Sequence, residues 1–320
     1  MAKTVVIFGA TGKQGGSVVD AFLGDPSFNV RAVVRDLKST SAQALQTRGV
    51  DVVKGDLFDE ASLVNAFKGA SIIYGVTADI GVLLPQLLRD GVKSVITEAS
   101  RLEKVEGKNL VHAVAANKDT IELFIFSGLS PAREISGGKF ETIHHFDSKA
   151  EIINYLESDF PELVSRTVEL QLGMFATNIT RQSPLRPWKQ PDGRYRVTMP
   201  NSIDTPVPFI DPNRDPAIFV KALASQPLPP STSESRVRKF AGFARYTTHR
   251  QWIDLLNRQI AGKVYFEETS VDSWANLMSP PGLGLELAEM WKYVEEIGYF
   301  GGDKGGTTII TEVRKMNEST

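Results

Sequence analysis

Three glycines, Gly9, Gly12 and Gly15, stand three residues apart directly behind the apolar run Val5-Val6-Ile7-Phe8. Backbone that lacks Cβ atoms at such a spacing bends sharply and lets N–H groups approach a phosphate closely. A second group lies far along the chain: His145 and Lys149 are four residues apart, and Ser127 follows another apolar run, Leu123-Phe124-Ile125-Phe126. Four residues is about one helical turn, so an imidazole and an ammonium there share one helix face. An imidazole exchanges protons near neutral pH. Read this way, His145 is a candidate proton donor; as a neighbour of Phe146 it reads equally well as packing, which is also the reading of His144.

The glycines need a strand before them and a helix after them. Val5 to Phe8 is too short for a helix and ends at a glycine, so it reads as the first buried strand of a parallel sheet. Ser17 to Leu23 then carries helical spacing. Strand, glycine turn and helix together form the context of a dinucleotide fingerprint, here spaced G-x-x-G-x-x-G. Gly9 permits the tight exit from the strand, Gly12 the approach of backbone to a pyrophosphate, and Gly15 the close packing of helix on sheet. Thr11, Lys13 and Gln14 complete the candidate phosphate-binding loop, and the helix N-terminus adds unpaired donors and a positive dipole end.

A second strand, Asn29 to Val34, ends at Arg35. That strand tip lies over the adenosine ribose, where an arginine meets a 2′-phosphate and an acid binds the 2′-hydroxyl. Arg35 favours NADP(H) over NAD(H), with Asp36 as the competing ribose acid. The third strand, Val50 to Gly55, leads into Asp56 and Leu57, a carboxylate for the adenine amino group and an apolar cover for the base. Asp59 is the expected N-cap of a helix reaching Lys68. The fourth strand, Ile72 to Val76, delivers Thr77 to the cofactor crevice, because ligands gather at the carboxyl ends of such strands. Residues 80–117 form a long, partly helical connection. The fifth strand, Glu122 to Phe126, leads to Ser127, a helix over Ala150 to Leu156 follows Lys149, and Ser165 to Leu172 is the sixth strand.

This alternation predicts an α/β fold: a doubly wound parallel Rossmann sheet over residues 1–174, with the strand and helix of residues 205–224 returning to it. Residues 175–320 predict a smaller α+β lobe over the nicotinamide end. Phe175, Trp188, Trp274 and Trp291 are candidate pocket-lining residues, against the alternative that they pack the core. The segment Gln226 to Ser235 is rich in Pro and Ser and reads as a surface loop; Ser183 to Trp188 reads as irregular.

Composition narrows the function classes. The chain has 320 residues and a formal net charge of −2 with both signs interspersed, which provides no basic stripe for direct nucleic-acid binding and no polybasic membrane patch. It has no cysteine, so disulfides, thiolate metal sites and cysteine nucleophiles are absent. No stretch approaches the length of a membrane span and no leader pattern opens the chain, so a cytoplasmic address is expected. The four histidines, His112, His144, His145 and His249, do not take metal-site spacing, and no G-x-S-x-G elbow occurs.

The chain resembles the NmrA-like family of atypical short-chain dehydrogenase/reductases over nearly its whole length. The resemblance is carried by GATGKQGGS from Gly9 to Ser17, Val33-Val34-Arg35, Gly55-Asp56-Leu57, Phe146-Asp147-Ser148-Lys149, Pro191-Asp192-Gly193 and the segment Thr205 to Asp211. It implies NADP(H) as cofactor, Ser127 as the hydroxyl that polarises the substrate, and Lys149 as the lysine that binds the nicotinamide ribose or supplies a proton. Short-chain reductases pair that lysine with a tyrosine four residues earlier. None of the seven tyrosines here has a lysine four residues on, and His145 stands in that position. The family holds both reductases and a cofactor-sensing partner of a transcription factor. The resemblance therefore implies either an NADPH-dependent oxidoreductase acting on a small carbonyl, imine or activated alkene, or a non-catalytic NADP(H) sensor that regulates a protein partner.

Overall fold

The computed structural model describes residues 2–78, 80–181, 185–228, 235–260, 263–280 and 282–309. Much of the expected loop at 226–235 lies outside them, as do residues 183 and 184 of the irregular segment. The chain begins as alternating strands and helices: β1 (Lys3–Ile7), α1 (Lys13–Phe22), β2 (Phe28–Val34), α2 (Thr40–Thr47), β3 (Asp51–Lys54), α3 (Glu60–Ala66) and β4 (Ile72–Gly75). Two helices follow in succession, α4 (Ile80–Arg89) and α5 (Val95–Ala116), before β5 (Leu123–Gly128), α6 (Ala132–Ile135), α7 (His144–Asp159) and β6 (Thr167–Leu172). A 3-10 turn at Pro161–Arg166 delays β6 by two residues relative to the expected start.

The remainder holds β7 (Met174–Phe175), α8 (Asn178–Arg181), β8 (Trp188–Lys189), β9 (Tyr195–Met199), β10 (Pro206–Ile210) and α9 (Asp215–Ser225). It closes with β11 (Arg238–Gly242), β12 (Arg245–Thr248), α10 (His249–Gln259), β13 (Val264–Glu268), α11 (Val271–Ala275), α12 (Leu283–Glu296) and β14 (Thr308–Ile309).

An eight-stranded sheet of order β14-β11-β6-β5-β4-β1-β2-β3 forms the centre, and its strand pairs are parallel. The inner strands β4, β5 and β6 are buried at every residue, as required of a parallel sheet covered by helices on both faces. On one face Val18, Val19 and Phe22 of α1 pack with Phe219, Val220 and Leu223 of α9. On the other, Leu63 of α3, Leu110 and Val111 of α5 and Ile152 and Ile153 of α7 close a second core. This is the expected doubly wound α/β sheet. Strand order reverses between β1 and β4, and the crevice at such a switch point is where this architecture binds ligands.

The segment expected to return to this sheet divides. Helix α9 does cover α1, but β10 pairs with β7 and β12 in a separate three-stranded sheet, with Phe209 beside Met174. The central sheet recruits β11 and β14 instead, both from the region assigned to the lobe. Without β11, the wholly buried β6 would be an unpaired edge. A third sheet, β13-β9-β8, completes the C-terminal part, whose core gathers Trp274, Trp291, Tyr293 and Met290 around Ile143 and Phe146 of the β5–α7 region. No helix among the described residues is long and apolar enough to cross a membrane.

Candidate active site

The glycine loop runs from the end of β1 to α1. Gly9 takes φ +63°, the left-handed conformation that lets the chain reverse out of the strand, and its carbonyl accepts the Gly12 N–H at 2.8 Å. A Cβ on Gly15 would lie 2.4 Å from the Gly9 carbonyl carbon and oxygen and 2.5 Å from the Phe8 oxygen. Close packing of helix on strand end is thus the reason for glycine there. Helix α1 has Gly12 as N-cap and no side-chain cap, so its first-turn N–H groups remain for an external acceptor. Thr11 is exposed beside them.

Two loop side chains are engaged inward. Lys13 Nζ donates to Thr177 Oγ1 at 3.0 Å, tying the loop to the segment after β7. Gln14 Nε2 donates to the Tyr74 hydroxyl and, at 2.7 Å, to Ser127 Oγ. Gln14 thus joins the ends of β4 and β5. Tyr74 is fully buried, and burial pushes its hydroxyl up to about 12 despite the Gln14 and Ser127 contacts. Ser127 is the penultimate residue of β5, which runs two residues beyond the expected end at Phe126 and so takes Ser127 into the strand.

Arg35 is exposed at the end of β2, with no hydrogen bond or ion pair among the described residues. Asp36 turns back on its own loop, its Oδ1 accepting the Lys38 N–H at 2.8 Å. Asp56 does the same for the Phe58 N–H at 2.9 Å, and Leu57 is half-buried against the α3–α5 core.

Thr77, beyond β4, belongs to a buried polar cluster. Its Oγ1 donates to Glu103 Oε1 at 2.7 Å and accepts from Lys149 Nζ at 2.9 Å. Lys149 also pairs with Glu103 Oε1, and the Ser148 hydroxyl donates to Glu103 Oε2. One turn along α5, Glu106 accepts the Ala78 N–H at 2.8 Å; burial, with the nearby Glu103 charge adding to it, pushes its carboxyl up to about 7.

Thr77, Ser127, His145, Lys149 and Gln14 all line one cavity of about 440 Å³. Its remaining wall is largely apolar, including Phe175, Trp274, Met278, Leu287, Met290 and Trp291. Three of the four expected aromatic residues line it. Trp188 does not: among the described residues β8 pairs only with β9 in the outer sheet, leaving Trp188 42% exposed with the Arg186 guanidinium 4.3 Å from its ring centre.

His145 and Lys149 do share a helix, because α7 starts at His144, six residues before the expected start. His145 Nδ1 lies 2.9 Å from Glu286 Oε1, and the same oxygen accepts the His145 backbone N–H. His144 is half-buried at the helix start and does not line the cavity.

Sequence reasoning missed Glu103, Glu106 and Glu286, and a signal for them existed. Glu103 and Glu106 share the α5 face of Ala99, Leu110 and Val114, and Glu286 falls three residues after Leu283 and four before Met290 on α12. A carboxylate within an apolar stripe is buried and needs a partner.

A profile of the NmrA-like family matches residues 1–319. An NmrA-like family domain-containing oxidoreductase of Aspergillus flavus is 31% identical over 156 residues, 49% of this chain and 42% of that protein. An NmrA-like family domain-containing protein of Dictyostelium discoideum is 32% identical over 172 residues, 52% of this chain and 50% of that protein. The matched region therefore spans half or less of these relatives. Among solved structures, the negative transcriptional regulator NmrA in complex with NADP aligns with TM-score 0.67 at 18% identity, covering 98% of this chain and 91% of that one. The NADPH-dependent quinone oxidoreductase of Escherichia coli, complexed with NADPH, aligns with TM-score 0.65 at 18% identity over 98% and 99%. At these identities the likeness establishes a common fold.

Proposed function

The chain belongs to the NmrA-like family, and on that premise we propose that it is an NADPH-dependent oxidoreductase that reduces a small organic carbonyl, imine or activated alkene. The observation that carries this reading is the convergence of Ser127, His145 and Lys149 on one apolar cavity that adjoins the switch-point crevice. The residues fit a dinucleotide: Gly9 and Gly15 let α1 start directly against the end of β1, where a Cβ on Gly15 would collide with the Phe8 and Gly9 backbone, and α1 has no side-chain cap, which leaves its first N–H groups for a phosphate. Gly9, Thr11, Gly12 and Gly15 would hold the pyrophosphate. Lys13 and Gln14 brace that loop against Thr177 and Ser127.

Arg35, lacking an internal partner, would take the 2′-phosphate through charge-assisted hydrogen bonds. Asp36 and Asp56 each have one carboxylate oxygen engaged in a local turn. Asp56 and Leu57 would border the adenine, and Thr77 and Lys149 the nicotinamide ribose. When bound, NADPH supplies a hydride. Ser127 Oγ accepts from Gln14 and would donate its own proton to a substrate oxygen, while His145 would exchange a proton with the reacting molecule. Lys149, already paired with Glu103, acts as a fixed cation rather than as the acid.

The test mixes NADPH-loaded protein with uncharged ketones, quinones, imines and enones and follows nicotinamide absorbance. We expect oxidation with at least one compound. Retention of intact NADPH in the presence of every class would assign the protein to the non-catalytic sensors that regulate a protein partner.

A further inference from the structure

Glu286 has no part in the roles assigned so far, yet its placement is unusual. It is fully buried in the first turn of α12, and among the described residues its side chain meets one partner: Oε1 accepts the His145 backbone N–H at 2.9 Å and lies 2.9 Å from the same residue's ring Nδ1. Its second oxygen, Oε2, is buried without a hydrogen-bond partner, and among the described residues no lysine or arginine pairs with it. A buried carboxylate with so few donors is costly, and a purely structural cap needs no charge. The imidazole is fixed further by the Phe146 ring, edge-on at 4.9 Å between centres. With Nδ1 occupied, Nε2 is the ring nitrogen left for the cavity that His145 lines.

We propose that Glu286 is a positioning residue that holds His145 as the Nδ1–H tautomer and so makes Nε2 the atom exchanging a proton with the substrate. In the forward step the ring starts with a proton on each nitrogen; the Nε2–H bond breaks, its electron pair stays on nitrogen, and the proton passes to the substrate atom that carries new negative charge. The imidazole is left neutral, with Nδ1–H still donated to Glu286, and Nε2 regains a proton from water. A buried carboxylate orients the catalytic imidazole of Ser-His-Asp hydrolases in the same way. The chemistry rests on the reductase reading; the tautomer does not.

Nitrogen NMR of histidine-labelled protein at alkaline pH, where imidazole is neutral, reads the tautomer directly without any substrate. The loss of one set of signals in His145→Gln assigns the ring. We expect the Nδ1–H form in the parent and in Glu286→Gln, which keeps an acceptor oxygen, and a change to the Nε2–H form usual for free histidine in Glu286→Met. An Nε2–H ring in the parent, or an unchanged tautomer in Glu286→Met, overturns the proposal. Should Glu286→Met fail to fold, the parent spectrum still decides. A confirmed tautomer in a protein that turns over no compound would sink the reductase reading while leaving the geometry intact.

Discussion

Lys149→Met lowers stability by about 3–5 kcal/mol, and Glu103→Gln placed in the same chain recovers most of that loss. The Lys149 side chain is 11% exposed and that of Glu103 only 3%. Removing the ammonium leaves a carboxylate in the core with hydroxyls of Thr77 and Ser148 as its remaining partners. Two hydroxyl donors do not replace a cation in a medium of low dielectric constant, so the uncompensated charge dominates the cost. Neutralising Glu103 removes that charge while keeping an oxygen for Thr77. Chemical denaturation of the two single variants and the double variant measures the coupling. Losses that simply add would mean that the pair contributes nothing and that the cluster is held by packing alone. In activity measurements a single replacement of Lys149 confounds lost chemistry with lost stability, whereas the double variant separates them.

The second large effect lies in the glycine loop. Gly15→Ala is expected to cost about 1–3 kcal/mol of stability by overpacking and to weaken NADPH binding more than tenfold. The neighbour Gly16→Ala should leave binding unchanged and stabilise α1 by up to about 1 kcal/mol, the helix preference of alanine over glycine. The new Cβ at residue 15 meets only backbone, the Gly9 carbonyl and the Phe8 oxygen, and backbone cannot swing aside as a side chain can. At residue 16 the nearest atom is the Ala10 oxygen at 3.4 Å, an ordinary contact. Thermal melts with and without NADPH compare the two. Equal behaviour of the variants would show that the loop tolerates a displaced α1 and that its glycines serve only as a turn.

What the sequence disclosed divides by how local the causes are. The β1–loop–α1 unit was readable because strand, glycines and helix are adjacent, and Asp59 was readable as an N-cap because its acceptor role is local: it receives the Ser62 N–H at 3.1 Å. The start of α7 was not readable. Ile143 is its N-cap and supplies no side-chain bond; the His145 N–H is satisfied instead by Glu286, 141 residues away. The helix therefore begins at His144 without any capping signal in its own neighbourhood. The same holds for β11 and β14, whose places beside β6 depend on pairing across long separations. Ser127 and Lys149 could be nominated from position, but the acids that hold Lys149 and His145 come from α5 and α12, and only the fold brings them there.

Preference for a 2′-phosphate at the cofactor site is measured by titrating the purified protein with NADPH and with NADH, followed by fluorescence, in the parent and in Arg35→Ala. A hydrogen bond to a charged group contributes about 1.5–3 kcal/mol, and about 1.4 kcal/mol corresponds to tenfold in affinity. The parent is expected to bind NADPH at least tenfold more tightly than NADH, and Arg35→Ala to bring NADPH to the level of NADH while leaving NADH unaffected. Equal binding of the two nucleotides by the parent, or binding of neither, would rule out Arg35 as the 2′-phosphate partner.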